Sequence, residues 1–254
     1  MKETIIAEKS KSPKLRNALL VTGLPGIGLI GQVVGRYLVD ELKAKKVATL
    51  LSSHFPHQVF MTKNGGMHIV KNTFYIYRGK KRDLLILLGD VQAMSSVGQY
   101  EVSHSILEYS KKLGVKEVMT VGGYSTGTIA EKRDVLGVTT SESLRIKLKK
   151  FGVVFGKAKG SIVGAAGLLP SLGRLYSFEG SCIMGETHGS YVDTAAARQV
   201  VAIIAKYVGF KLNLKRLDAR AKESQKVLKK VQEEVQKTME AQYEANKTNV
   251  SYIR

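Results

Sequence analysis

Leu84-Leu85-Ile86-Leu87-Leu88 is an unbroken apolar run with no polar alternation. A strand with one wet face alternates, so this run belongs to a strand covered on both faces, at the centre of a sheet. The same reading applies to Ala18-Leu19-Leu20-Val21 and to the segment from Glu117 to Val121, which Gly122-Gly123 is expected to stop. After the first of these comes Gly23-Leu24-Pro25-Gly26-Ile27-Gly28-Leu29-Ile30-Gly31, then a helical pattern through Leu42. The order is strand, glycine turn, helix.

The rest of the chain extends this pattern. Lys46 to Ser52 reads as a strand. Gln58 to Met61, Met67 to Val70 and Thr73 to Tyr77 are short β-rich runs separated by Asn64-Gly65-Gly66 and Lys71-Asn72, too close for crossovers, and they predict an antiparallel meander. Ser96-Val97-Gly98-Gln99 has the form of a capping box, and Val102, Ile106, Tyr109 and Leu113 give the following helix an inward face ending at Gly114. A strand over Gly137 to Thr140 leads into a basic helix, Ser143 to Lys150. Gly160 to Gly185 is glycine-rich, with a short helix expected around Leu168 to Tyr176 and a strand at Ser181 to Met184. Asp193 is placed to cap a helix over Thr194 to Val208 that is apolar nearly all round and therefore buried. The expected fold class is α/β, a mixed central sheet flanked by helices in three layers, spanning residues 1–209.

From Phe210 the character changes. The positions Phe210, Leu214, Leu217, Ala221, Ser224, Leu228, Val231 and Val235 recur in alternating steps of four and three, the period of a coiled-coil seam. A seam this narrow buries little surface alone, so residues 210–245 predict an amphipathic helix that docks on a partner or on its own domain. Residues 246–254 form a polar tail carrying two apolar anchors, Tyr252 and Ile253, ahead of Arg254, the way a terminal peptide motif is presented. The protein-binding candidates are thus Leu217, Leu228, Val231, Val235, Tyr252, Ile253 and Arg254.

Charge bounds the partners. The formal net charge is +19, yet residues 211–254 hold only eleven Lys or Arg against six Asp or Glu, so most of the excess is spread over the domain. With no Trp and no zinc spacing or arginine-rich arm, specific nucleic-acid reading is not expected. No run of apolar residues is long enough for a membrane span, and the single cysteine, Cys182, fits a reducing compartment, so a cytoplasmic location is expected.

Enzymatic signals are thin. Gly26, Gly28 and Gly31 match G-x-G-x-x-G between strand and helix, where backbone N–H groups cradle a pyrophosphate. The second strand, however, closes on Leu50-Leu51-Ser52-Ser53-His54 with no acidic residue for a ribose, and the loop has no Lys-Ser/Thr pair. The alternative is that these glycines serve a tight turn and a close helix–sheet approach. Gly23, Gly89-Asp90 and Gly122-Gly123-Tyr124 all follow strands and would converge on one sheet edge, with Asp90, Glu186 and His188 as acid–base candidates and Cys182 as a nucleophile. Sequence pairs none of them, and neither a metal nor a cofactor is expected.

The glycine turn, Gly122-Gly123-Tyr124, Gly164-Ala165-Ala166-Gly167-Leu168-Leu169, and Gly185-Glu186-Thr187 leading to Asp193-Thr194-Ala195-Ala196 together resemble the archaeal proteasome assembly chaperones. The resemblance covers roughly Asn17 to Val208. It implies a phosphorylase-like α/β core without catalysis, homo-oligomerisation, and binding to 20S proteasome α-subunits. Family members that engage the proteasome end in hydrophobic-Tyr-X, whereas here Tyr252 is third from the end and Ile253 stands in its place.

Overall fold

The computed structural model describes residues 3–9, 13–128 and 133–211, together with Asn213 and Ala219. The seam positions from Leu214 to Val235, including Leu217, Leu228 and Val231, and the terminal Tyr252, Ile253 and Arg254 lie outside the described residues. In chain order the elements are β1 (Thr4–Glu8), β2 (Ala18–Gly23), α1 (Ile30–Glu41), β3 (Lys45–Ser52), β4 (Val59–Met61), β5 (Met67–Ile69), β6 (Asn72–Tyr77) and β7 (Leu84–Gly89). There follow α2 (Ser96–Leu113), β8 (Val115–Ser125), β9 (Val135–Thr139), α3 (Glu142–Lys149), β10 (Val154–Phe155), α4 (Ala165–Gly173), β11 (Glu179–Thr187) and α5 (Thr194–Val208).

Nine strands form one sheet in the order β1-β3-β6-β7-β2-β8-β11-β9-β10. The central neighbours β7, β2, β8 and β11 run parallel, and antiparallel strands flank them on both sides. The apolar runs are the parallel strands, as burial on two faces requires. In β2, Leu19 and Val21 face a core completed by α1, α3 and α5, whereas Ala18 and Leu20 face α2 and α4. The result is the three-layer arrangement expected from the sequence.

Helix α1 lies on the sheet with no side chain between at its closest point. A Cβ on Gly35 would stand 2.6 Å from the Gly23 Cα, and one on Gly31 would stand 2.6 Å from the carbonyl oxygens of both Leu24 and Val121. Gly28 takes φ 62°, which glycine adopts without strain, where the short 3-10 turn Ile27–Leu29 enters α1. At the other end of the sheet, both terminal nitrogens of Arg82 reach one Glu117 oxygen at 3.1 Å while the Tyr207 hydroxyl donates to the other at 2.8 Å. This buried trio ties the approach to β7, strand β8 and helix α5 together.

Several expectations are corrected. The runs around Val59, Met67 and Thr73 are not one meander: β4 and β5 pair only with each other, while β6 joins the main sheet between β3 and β7. Short connections excluded crossovers but did not oblige consecutive strands to share a sheet. Ser95, not Ser96, caps α2, its hydroxyl accepting from the Gly98 N–H at 3.0 Å; the Gln99 side chain instead donates to the Ala93 carbonyl. Strand β8 runs through Gly122-Gly123 to Ser125, because pairing with β11 continues to Thr187 and holds the glycines extended. The glycine-rich stretch places α4 at Ala165–Gly173, three residues earlier than expected, followed by a 3-10 turn at Arg174–Tyr176. Asp193 caps α5 as expected, accepting from the Ala196 N–H at 2.9 Å.

The helix expected from Phe210 does not start there. Gly209 ends α5 in a left-handed conformation, and Phe210 packs on Tyr77 with ring centroids 6.1 Å apart. The seam's first position is therefore an anchor on the domain.

Replacing Gly35 by Val forces α1 off the sheet and should cost about 1–3 kcal/mol or more, whereas Gly122→Ala, whose Cβ meets only Met184 Cγ at 3.8 Å, should be close to neutral. Urea unfolding of the two variants makes the comparison.

Candidate functional site

The carboxyl ends of β2 and β8 lie side by side, and the chain leaves them in opposite directions, toward β3 from one and toward β9 from the other. Such a divergence opens a crevice in parallel sheets. Here it is a cavity of about 450 Å3, floored by strand ends at Thr22, Val121 and Gly122 and walled by the turn at Leu24–Ile27, Met184 of β11, and the segment from Ala158 to Val163. Gln92 fixes two walls relative to each other: its amide nitrogen donates to the Pro25 carbonyl at 2.6 Å and its oxygen accepts from the Ala165 N–H at 3.1 Å. Among the described lining residues, Lys159 is the only one with a formal charge.

The literal G-x-G-x-x-G divides by role. Gly26 borders this cavity, Gly28 supplies the left-handed turn, and Gly31 is where the helix touches the sheet. Close packing thus accounts for Gly31, as the structural reading of the motif expected.

The acid–base candidates do not meet there. Asp90 accepts a hydrogen bond from His68 Nε2 at 2.7 Å and from the Lys71 N–H at 3.2 Å. Buried Glu186 accepts from the Asp134 N–H at 2.9 Å and pairs with Lys157 at 2.9 Å. His188 shares a hydrogen bond with Ser190 at 2.8 Å and stacks on Tyr191. Cys182 is fully buried in β11, and burial pushes its thiol up to about 11. A thiol so placed is neutral at physiological pH and does not act as a nucleophile.

Two features escaped sequence reasoning. One is a cluster in which the carboxylates of Glu3 and Glu101 and the imidazole of His54 offer ligand atoms all within 4.8 Å of one another, the set among the described residues with the composition of a metal site. It is knit internally: His54 Nε2 lies 2.7 Å from Glu101, and the Thr4 hydroxyl donates to Glu101 at 2.7 Å. The hydrogen bond to Glu101 raises the His54 pKa, and the hydrogen bonds from the Thr4 hydroxyl and the His54 imidazole hold Glu101 down to about 2. Its members are some fifty residues apart in sequence, so no local motif announces it.

The other is the β4–β5 hairpin. Val59, Phe60, Met61, Met67 and Ile69 are all exposed, Met61 at 92% and Met67 at 88%. Beside it runs an apolar groove lined by Ile5, Leu51, Phe55, Val59, Ile69 and Val70. Val59, Met61, Met67 and Ile69, paired across the two strands, lie on one face of the hairpin, and Phe60 lies on the other. Three apolar residues in succession beside an Asn-Gly-Gly turn were the signal available in sequence. No helix among the described residues is long and apolar enough to cross a membrane.

Beyond Phe210, Asn213 lies against α1: the Tyr37 hydroxyl donates to its carbonyl, and its N–H donates to the Glu41 carboxylate at 3.3 Å.

The sequence pattern of the PAC2 family matches residues 20–232. The chain belongs to the PAC2 family. An uncharacterized protein of Methanocaldococcus jannaschii is 36% identical over 241 residues, 93% of each chain. The crystal structure of Pyrococcus furiosus PbaB, described as an archaeal proteasome activator, matches this PAC2 chain with TM-score 0.86 and 38% identity, over 91% of this chain and all of its own (100%). Pyrococcus furiosus PbaA, described as an archaeal homolog of proteasome-assembly chaperone, matches with TM-score 0.76 and 26% identity, over 96% of this chain and 99% of its own. The family resemblance read from the glycine motifs therefore holds, and so does the fold it implied.

Two measurements check this account of the PAC2 chain. At mildly alkaline pH, Cys182 of the folded protein should react with a thiol reagent at least about a hundredfold more slowly than in guanidinium. In an NMR titration His54 should show a pKa above its ordinary 6.5, falling back in Glu101→Gln. The signs are opposite for the two partners: stability contributed by the raised His54 is present at low pH and fades as pH rises through its folded value. That contributed by Glu101 is present above the ordinary carboxylate range and is lost as pH falls toward about 2.

Proposed function

We propose that this PAC2 protein is a non-enzymatic, cytoplasmic proteasome assembly chaperone that homo-oligomerises and binds 20S proteasome α-subunits through its C-terminal helix and tail. The observation that carries this reading is the likeness to PbaB, an archaeal proteasome activator, at 38% identity over 91% of the chain. The site chemistry supports it: Asp90, Glu186 and His188 each have their own partners instead of facing one cavity.

The division of labour follows from the anchors. Phe210 packs on Tyr77 and Asn213 is held on α1, so the chain is tied to the domain as far as residue 213. Past that point, Leu217, Leu228, Val231 and Val235 supply the docking stripe, and Tyr252, Ile253 and Arg254 supply the terminal anchor. A terminal peptide entering a pocket gains most from its aromatic and arginine side chains.

The copies associate through the β4–β5 hairpin. Each chain carries both an apolar projection, led by Met61 and Met67, and an apolar groove beside it, so two symmetry-related copies satisfy one another. A net charge of +19 opposes association elsewhere.

Deleting residues 246–254 should weaken capture of purified α-subunits by at least about tenfold, a loss of about 1.4 kcal/mol, and leave the oligomer intact; unchanged capture removes the tail from the reading. The double change Met61→Asp and Met67→Asp should lower the particle mass in light scattering, and an unchanged mass excludes the hairpin as the copy-to-copy contact.

A further inference from the structure

Two glycines in the cavity wall have neither a backbone nor a packing reason to be glycine. Gly26 has φ −173°, an extended conformation any residue adopts, and a Cβ built on it meets nothing within 4 Å. Gly122 sits within β8, and its Cβ would meet only Met184 Cγ, at an ordinary 3.8 Å. By contrast, a Cβ on Gly23, Gly31, Gly35 or Gly123 would strike backbone atoms at 2.6 Å or less. What the bare positions 26 and 122 provide is room: both border the cavity, one from the turn after β2 and the other from β8.

The lining defines the chemistry of what the room holds. Leu24, Ile27, Val121 and Met184 present an apolar surface, and Gln92 is spent on holding Pro25 and Ala165. Lys159, exposed at the rim, meets no carboxylate among the described lining residues, and the whole chain carries a net +19. The field over such a cleft concentrates anions and repels cations. At about 450 Å3 the space fits a molecule of one or two rings. An inorganic anion would leave the apolar walls unfilled, and an organic cation would find no counter-charge among the described lining residues.

We infer that this cavity is a binding site for a small organic anion, an aromatic or other apolar body bearing a carboxylate, sulfonate or phosphate, with its body against Gly122 and Met184 and its charge toward Lys159. The site shares no lining residue with the hairpin groove and does not include Phe210 or Asn213, so it stands whether or not the chain binds proteasome subunits.

Anilinonaphthalene sulfonate has this chemistry and reports binding by fluorescence. Added to the full chain, it should bind saturably and be displaced by benzoate but not by benzylamine. Gly122→Leu, which fills the cavity from β8, should lower dye affinity by about tenfold or more, and Gly26→Leu should do the same from the turn should the first variant not fold. Lys159→Gln should weaken benzoate by about threefold, the scale of one exposed charge pair, and leave benzyl alcohol unaffected. Phe60→Ser, on the exposed hairpin, should leave dye affinity unchanged. Absence of saturable binding, full affinity in either folded leucine variant, or displacement by benzylamine as effective as by benzoate would overturn the assignment.

Discussion

The contact between Gly35 and Gly23 sets the geometry of everything above it. Because no side chain separates α1 from β2 there, the turn Leu24–Ile27 is pulled down across the end of β8, and Gly31 lies against the Val121 carbonyl. The Ile27 carbonyl in turn comes so close to Gly123 that a Cβ there would stand 2.4 Å away. The turn thereby becomes a wall of the cavity, with Gly26 and Ile27 exposed. A literal G-x-G-x-x-G is thus used mainly for packing, with only its first glycine, Gly26, facing the open space.

Much of this fold was legible because burial on both faces leaves a direct trace. The runs at Ala18–Val21 and Leu84–Leu88 could only be central strands, and each became one. Asp193 as the cap of α5 and Gly114 as the end of α2 followed from local backbone chemistry. What local chemistry does not encode was missed. Whether β4 and β5 join the main sheet depends on partners far along the chain, and so does whether Gly122-Gly123 ends a strand. In the second case the register with β11 outweighs the glycines' weak strand preference. The place of Phe210 beside Tyr77 is a tertiary fact that the seven-residue period does not carry.

The candidate site was legible only in part. The convergence of strand ends near Gly23 and Gly122 was readable from the strand–glycine pattern. The isolation of the acid–base candidates was not. Each of Asp90, Glu186 and His188 is satisfied by a neighbour that sequence distance does not specify, and Cys182 is silenced by burial. The exposed hairpin and the Glu3–His54–Glu101 cluster are likewise products of topology. What emerges is a three-layer α/β domain with an exposed apolar hairpin at its edge and Phe210 and Asn213 packed on its body, a fold shared with the PAC2 family and its structural relatives PbaB and PbaA.

The proposed role of this platform is to bind proteasome subunits. Sedimentation velocity of the intact chain mixed with purified archaeal 20S proteasome tests it most directly. The account predicts a saturable boundary heavier than the free 20S particle that carries both components. Independent sedimentation of the two at every ratio, with free α-subunits also failing to co-sediment, would contradict it.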